Sequence, residues 1–350
     1  MKSTYIPVPP SSSSFPSFKR PSILGSYGQN EQREWIEDPS SYLKTFDARN
    51  WFRQSLNKKP LDLNRGKVIL KDENHSAREG ITSLLEWLRR NPQTNCPDFV
   101  LFRGVLTMLM KTPYERREPW CYSVVKYRDT IYLKAEETEY ARNQKDRVSP
   151  FIQKTMEWGY KFEHILSQTS DSNMDNVINT NEEYDSVYRT ELEGMAIIYG
   201  AEMDAIFKSQ KPEVNVEDFV EFKTSKEFQN DRNYQNFVKY KVLKWWCQSF
   251  LVGITTIVCG FRDDDGFVRR IEDFSVRDIP KLEGVTWKPN VCMGFLKNLL
   301  KTLKNDIILT PNIVYNVSFD PPGSNINTYE TDLDISHVLP SWYTENTTKS

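Results

Sequence analysis

The chain has 350 residues, with 46 lysines and arginines against 48 aspartates and glutamates, and a formal net charge of −2. Hydrophobic residues make up 38% and aromatics 13%, enough for a sizeable core, which excludes a chain disordered throughout. The near-neutral charge excludes a surface that is basic everywhere, but it permits a local basic cleft. The longest uncharged run, 245–261, contains Gln248, Ser249, Thr255 and Thr256 and is too short for a spanning helix. No apolar stretch follows Lys2, so a secretory signal peptide is not expected. Five cysteines without a CxxC fit free thiols in a reducing compartment and exclude zinc fingers.

In chain order, residues 1–17, with Pro7, Pro9, Pro10 and serines at 11–14, read as a flexible leader. One folded domain over 18–345 and a short tail at 346–350 are expected to follow. The spacing of Ile81, Leu84, Leu85 and Leu88 predicts a helix, and the apolar run 99–110, interrupted by Arg103, predicts a second. Alternation through Tyr122, Val124 and Lys126, then Ile131 and Leu133, predicts a hairpin turning at 128–130, with a charged loop after it up to Val148. Pro150 opens a helix on which Ile152, Met156, Gly159, Glu163 and Leu166 fall on one face, so a carboxylate lies on an apolar stripe. Residues 167–183 read as a loop, and 188–192, 195–207 and 214–224 as strands. A helix over 237–251 and a buried strand over 254–261, ending in the turn 263–266, complete the pattern. This order predicts an α/β or mixed α+β fold, and no internal repeat is visible.

Three histidines, His75, His164 and His337, sit in no serine or cysteine nucleophile motif, and neither GxxxxGK[ST] nor GxGxxG occurs. What remains is carboxylate chemistry. In 200–205 (GAEMDA) the strand period of two puts Glu202 and Asp204 on one face. In 220–225 (VEFKTS) it pairs Glu221 with Lys223 and turns Val220 and Phe222 to the core. Were these strands neighbours, Glu202, Asp204 and Glu221 would form an oxygen-only cluster of the kind a hard divalent cation neutralises, magnesium or manganese by preference. Each pattern also has a plain reading. Glu202 and Asp204 could be solvated strand charges, Glu221 and Lys223 an exposed pair, Glu163 half of a buried ion pair, and Gln248 a solvated helix edge beside Lys241, Lys244 and Leu251.

Taken together, a helix carboxylate, an acidic strand, a Glu-x-Lys strand and a helix with glutamine resemble the PD-(D/E)XK nuclease superfamily. Longer stretches narrow the resemblance: 158–163 (WGYKFE), 221–226 (EFKTSK), 243–251 (LKWWCQSFL) and 259–262 (CGFR) are similar to motifs of the DXO family of eukaryotic decapping exoribonucleases. So are Arg103-Gly104 with 112–116 (TPYER), 179–181 (NTN), 290–293 (NVCM) and 339–343 (LPSWY), and the likeness spans about residues 18–345.

The resemblance implies twisted mixed sheets flanked by helices around a nuclease core. It implies an enzyme dependent on Mg²⁺ or Mn²⁺, two ions being expected, that acts on RNA 5′ ends. Such an enzyme removes incompletely methylated caps, NAD, FAD and CoA caps and 5′-triphosphates, and degrades the body 5′ to 3′. Carried over residue by residue, Glu163, Glu202, Asp204 and Glu221 match metal ligands, with the Phe222 carbonyl completing the sphere. Lys223 and Gln248 match residues holding the scissile phosphate and the water. Arg103, flanked by Phe102 and Gly104, matches a contact to RNA phosphates, and Arg33 and Glu79 match other substrate contacts. At Asp185 the family can carry cysteine. A monomer resident in the nucleus, with some in the cytoplasm, is expected, and no protein partner is identifiable. The alternatives are an idle RNA-binding scaffold and a DNA exonuclease of the wider superfamily.

Overall fold

Two sheets with helices between and outside them make up the described residues, 2–48, 59–71, 80–167, 176–208, 214–321 and 325–345 of this computed structural model. In order across the larger sheet run β1 (Lys2–Tyr5), β18 (Asn325–Glu330), β17 (Val314–Phe319), β8 (Trp120–Tyr127), β9 (Thr130–Glu136), β7 (Phe99–Phe102), β12 (Met195–Glu202), β11 (Glu183–Leu192), β2 (Ser22–Gln29) and β3 (Trp35–Ile36). The smaller sheet runs β4 (Thr45–Phe46), β13 (Ala205–Phe207), β14 (Phe219–Lys226), β15 (Thr256–Arg262), β16 (Phe267–Ser275) and β5 (Leu61–Asp62). A third, parallel pair joins β6 (Val68–Ile69) to β10 (Ile178–Asn179). Both larger sheets mix parallel and antiparallel pairs, so the fold is a mixed α+β one.

The helices are α1 (Thr82–Arg90), α2 (Arg103–Lys111), α3 (Glu139–Lys145), α4 (Pro150–Leu166), α5 (Asp231–Asn236), α6 (Val242–Val252), α7 (Pro289–Thr302) and α8 (Ser341–Glu345). Apolar residues of α2, α6 and α7 form one core with the inner faces of the two sheets, including Leu106, Trp246 and Phe295. The outer face of the larger sheet is covered by α1 and by Val338 and Leu339, and that of the smaller by α4 through Trp158, Phe162 and Leu166.

Local chemistry sets the register that matters later. The turn between β11 and β12 is Glu193-Gly194, with φ of 50° and 80°, the left-handed pair that suits a two-residue hairpin. Counting back from it fixes Asp185 opposite Glu202 at the far end.

Several expectations need correction. The apolar run 99–110 is not one helix. Phe99-Val100-Leu101-Phe102 is a strand paired in parallel on both sides, and the helix starts at Arg103. Residues 195–207 are not one strand either. They cross from β12 in the larger sheet to β13 in the smaller, and Met203 and Asp204 are the crossing. Strand β14 begins at Phe219, after a single turn at Val216–Asp218 in which the Asn215 and Asp218 side chains each cap the other's backbone. The charged stretch before Val148 contains α3, capped by the Thr138 hydroxyl. On α4 the first half of the expected stripe, Ile152 and Met156, is exposed, and burial begins at Trp158.

The supposed leader is built into the fold. Lys2–Tyr5 pair with β18, and Ile6 is fully buried. Proline-rich backbone forms no ladder of its own, and its carbonyls are taken instead by α7. Asn298 Nδ2 donates to the Pro7 carbonyl at 3.0 Å, and Asn290 Nδ2 to those of Ser11 and Ser13 at 3.0 and 2.8 Å.

Candidate active site

The site lies where the chain changes sheets. On β14, Val220 and Phe222 enter the core beneath α4, so Glu221 and Lys223 face the layer between the sheets. Gly260 on the neighbouring β15 lets α4 come close, since a Cβ there would sit 2.5 Å from the Phe162 ring. Phe162 is the residue before Glu163, so the same close approach brings that carboxylate to the site.

Glu221 is 1% exposed and receives two cations. Arg103 Nη1 donates to Oε2 at 3.3 Å and Lys223 Nζ donates to Oε1. Burial alone would raise its carboxyl, but Lys223 and Arg103 outweigh that and hold it below the usual range. Burial likewise works against the charged forms of Lys223 and Arg103, and the surrounding carboxylates, Glu221 foremost, hold both firmly protonated.

Asp204 Oδ2 accepts the Phe222 N–H at 2.7 Å. Pairing of β14 with β13 ends at Val220, so at Phe222 that edge of the strand is open. A strand residue's carbonyl leaves on the same side as its N–H, so the Phe222 carbonyl is aimed at the Asp204 side as well. Burial, then the charge of Glu221, push Asp204 up to about 6. Burial, then Glu183 and Asp204, push Glu202 up to about 7, although Glu202 opens to the cleft and solvent screens it most. Glu163 is raised well above its usual value by burial and by Asp204.

The larger sheet supplies the other half. Arg103 is the first residue of α2, immediately after β7. Beside it the Phe102 ring lies over Gly200, where a Cβ would stand 2.8 Å away. A cavity of about 300 Å³ opens there, lined among others by Phe102, Arg103, Gly104, Asp185, Glu202, Gln248 and Arg33. Asp185 is 5% exposed, and burial followed by the charges of Glu183 and Glu202 pushes its carboxyl well above the usual value. Lys241, the residue before α6, reaches back to Ser225 Oγ at 3.3 Å while Leu251 on the helix is buried, so the helix is pinned along β14 and Gln248 is left facing the cavity.

The structure therefore brings together Arg103, Asp204, Glu221, Lys223 and Phe222, sets Glu163 and Glu202 within electrostatic reach, and places Phe102, Gly104, Gln248, Asp185 and Arg33 on one adjoining cavity. Glu79 lies outside the described residues. Three lining residues, Gln29, Lys71 and Glu183, carry no local pattern that sequence reading could have singled out. Among the described residues, no three carboxylate, imidazole or thiol groups stand as close as one ion would draw them. Glu221 is turned to its two cations and Asp204 to the Phe222 amide.

Known proteins resemble this chain over most of its length. The family described as RAI1 like PD-(D/E)XK nuclease matches residues 19–344. The decapping and exoribonuclease protein of Xenopus laevis is 32% identical, covering 94% of this chain and 86% of that protein, and the human protein of that name is 30% identical over 96% and 87%. Among solved structures, Candida albicans Rai1 in complex with pU5-Mn²⁺ superposes with a TM-score of 0.82 at 22% identity, covering 99% of this chain and 98% of that one. S. pombe Rai1 in complex with 3′-FADP gives 0.74 at 26% identity, covering 94% and 99%. The chain belongs to the RAI1-like PD-(D/E)XK nuclease family.

Proposed function

We propose that this protein is a divalent-metal-dependent hydrolase of RNA 5′ ends that removes incomplete caps, NAD, FAD and CoA caps and 5′-triphosphates, and then degrades the RNA 5′ to 3′. The observation that carries the reading is the meeting of Asp204, Glu221, Lys223 and Arg103 at the junction of the two sheets, beside a cavity of about 300 Å³, a size that takes a nucleotide-sized group. The names of the relatives support it.

The donor set fits a hard cation. Glu163, Glu202 and Asp204 are all held toward the protonated form by burial and by neighbouring carboxylates, the state in which a divalent ion relieves repulsion. Those three, Glu221 and the Phe222 carbonyl would hold Mg²⁺ or Mn²⁺, which when bound lowers the pKa of water and stabilises charge on a phosphate. Lys223 and Arg103, kept protonated by Glu221, are the cations that hold the scissile phosphate. Gln248 offers both a donor and an acceptor to orient the water or the phosphate. The cavity takes the portion to be released, which makes the enzyme one that works from an end.

The test is a time course on NAD-capped and 5′-monophosphate RNA in Mg²⁺, Mn²⁺ or EDTA, with wild type and Asp204→Ala. Release of NAD from the first substrate and of mononucleotides from the second is expected, both lost in EDTA and in the variant. Retained RNA binding without turnover in any metal would replace this reading with an idle scaffold, and preference for DNA in direct competition would replace RNA as the substrate.

A further inference from the structure

Beyond Lys223 along β14 lie two further cavities, of about 430 and about 340 Å³, which share Arg117, Tyr240 and Lys241 and so form one groove. Ser225 and Lys226 of β14 line the larger, and Lys244 of α6 lines the smaller. The same helix joins the groove to the active site. Lys241, Lys244 and Gln248 follow at steps of three and four, which puts them on one helix face, and Gln248 lines the cavity described above. The turn before α6 is a wide one, in which the Val242 N–H donates to the Phe237 carbonyl five residues back. Such turns re-aim side chains and are frequent at functional sites.

The groove carries more cations than it can pair. The carboxylates that line it are engaged already, Glu115 and Glu118 by Lys111 at 2.9 and 2.6 Å and Glu227 by Arg270 at 2.9 Å. Lys226 meets Asp264 at 2.7 Å, whereas Arg116, Arg117, Arg232, Lys241 and Lys244 form no ion pair among the described residues. Solvent reaches Lys241 and Lys244, but the concave walls strip part of it away, and this desolvation holds both ammonium groups below their ordinary value. At Lys244 the charges of Lys111 and Lys223 add to the effect, and Glu118 offsets only part of it. An anion in the groove relieves that cost. Where the two cavities overlap, the Tyr240 ring is 42% exposed, with Lys239 Nζ 5.1 Å and Arg117 Cζ 6.0 Å from its centroid. An exposed ring set among cations is the chemistry that takes unpaired nucleotides, phosphates on the charges and a base on the ring.

We propose that the RNA body runs from the scissile phosphate along this face, with its phosphates on Lys244 and Lys241 and a base stacked on Tyr240. The enzyme then grips several unpaired nucleotides downstream of the bond it cuts, and its affinity for a substrate grows with the length of that single strand. This rests on the reading of the protein as a hydrolase of RNA ends, in which the first cavity takes the portion to be released.

The experiment is metal-free. Binding of 5′-monophosphate RNAs of two and ten nucleotides, labelled at the 3′ end, is followed by fluorescence anisotropy in EDTA. Wild type is expected to bind the longer RNA more tightly. Lys241→Gln should cut that gain about tenfold, the size of one charge-assisted hydrogen bond, and lower the salt slope of the longer RNA by about 0.7. Lys241→Arg should keep most of the gain. Tyr240→Ala, at an exposed position, should cut it at least about fivefold and Tyr240→Phe should not. Neither Lys241→Gln nor Tyr240→Ala should weaken binding of the dinucleotide, which general damage to the fold would do. A wild type whose affinity ignores length, a full gain kept by Lys241→Gln or Tyr240→Ala, or equal loss on both RNAs overturns the proposal. Wild type inert in Mn²⁺ on every RNA would sink the hydrolase reading and leave this dependence on length as it is.

Discussion

The two sheets treat their carboxylates in opposite ways. On the smaller sheet Glu221 is fully buried yet given both Arg103 and Lys223, and it titrates below the ordinary range. On the larger sheet Asp185 and Glu202 stand opposite one another across β11 and β12, and both are pushed up. One side holds charge already compensated, ready to meet a phosphate. The other holds carboxyls whose ionised form is costly until something positive arrives, and Asp204, at the crossing between the sheets, touches both regimes. Compensated charge belongs to β14, and uncompensated carboxyls belong to the paired ends of β11 and β12.

The strongest way to break that division is at the crossing. Asp204→Asn keeps the acceptor for the Phe222 N–H but removes the charge, so hydrolysis of every RNA is expected to fall by more than about a thousandfold with little change in thermal stability. Activity within tenfold of wild type would mean that the chemistry lies elsewhere. Next comes Lys223→Gln. It should slow the single-turnover step by about a hundredfold and leave Mn²⁺ affinity, read by calorimetry, within a few fold. A collapse in metal affinity would instead make Lys223 a structural counter-ion of Glu221 rather than a phosphate holder.

Metal affinity itself sharpens the contrast. Asp204 and Glu202 titrate at about 6 and about 7, so protons compete with the cation over that interval. Mn²⁺ should therefore bind much more weakly at pH 5.5 than at pH 8, and most of the gain should come between pH 6 and 7. A flat profile would show that neither carboxyl is a ligand.

How much of this was legible in the sequence depends on distance along the chain. Glu221 and Lys223 were readable because a strand's period of two is local and β14 is a continuous strand. The pairing of Glu202 with Asp204 rests on a reason that does not hold: the alternation is carried across Met203, where the chain leaves the larger sheet, so Glu202 ends β12 and Asp204 lies in the crossing rather than on the same strand face. The motifs around Glu163 and Gln248 were long enough to be identified by resemblance, while the closeness that lets Glu163 take part depends on Gly260, about a hundred residues away in sequence. The cavity lining at Lys71 and Glu183 could not be read, because each residue there is ordinary in its own segment and gains meaning only where the segments meet. The docking of residues 2–17 was hidden in the same way, since the amides of Asn290 and Asn298 that hold it lie at the other end of the chain.

The smallest effect expected is on stability, at Asp185. Its folded carboxyl is raised above the unfolded value near 3.8 by burial first and by Glu183 and Glu202 next. Between those two values the folded state binds more protons than the unfolded one, so this group's contribution to stability is present at low pH and is lost as pH rises. Asparagine at that position does not titrate. Asp185→Asn should therefore match wild type in melting temperature near pH 4 and exceed it by a few degrees at pH 8, in EDTA, with the difference growing steadily between. Bound Mn²⁺ neutralises the neighbouring Glu202 and should shrink the difference. If the variant instead melts lower at pH 8 than wild type, Asp185 is ionised and compensated as Glu221 is, and the two sheets are not opposites after all.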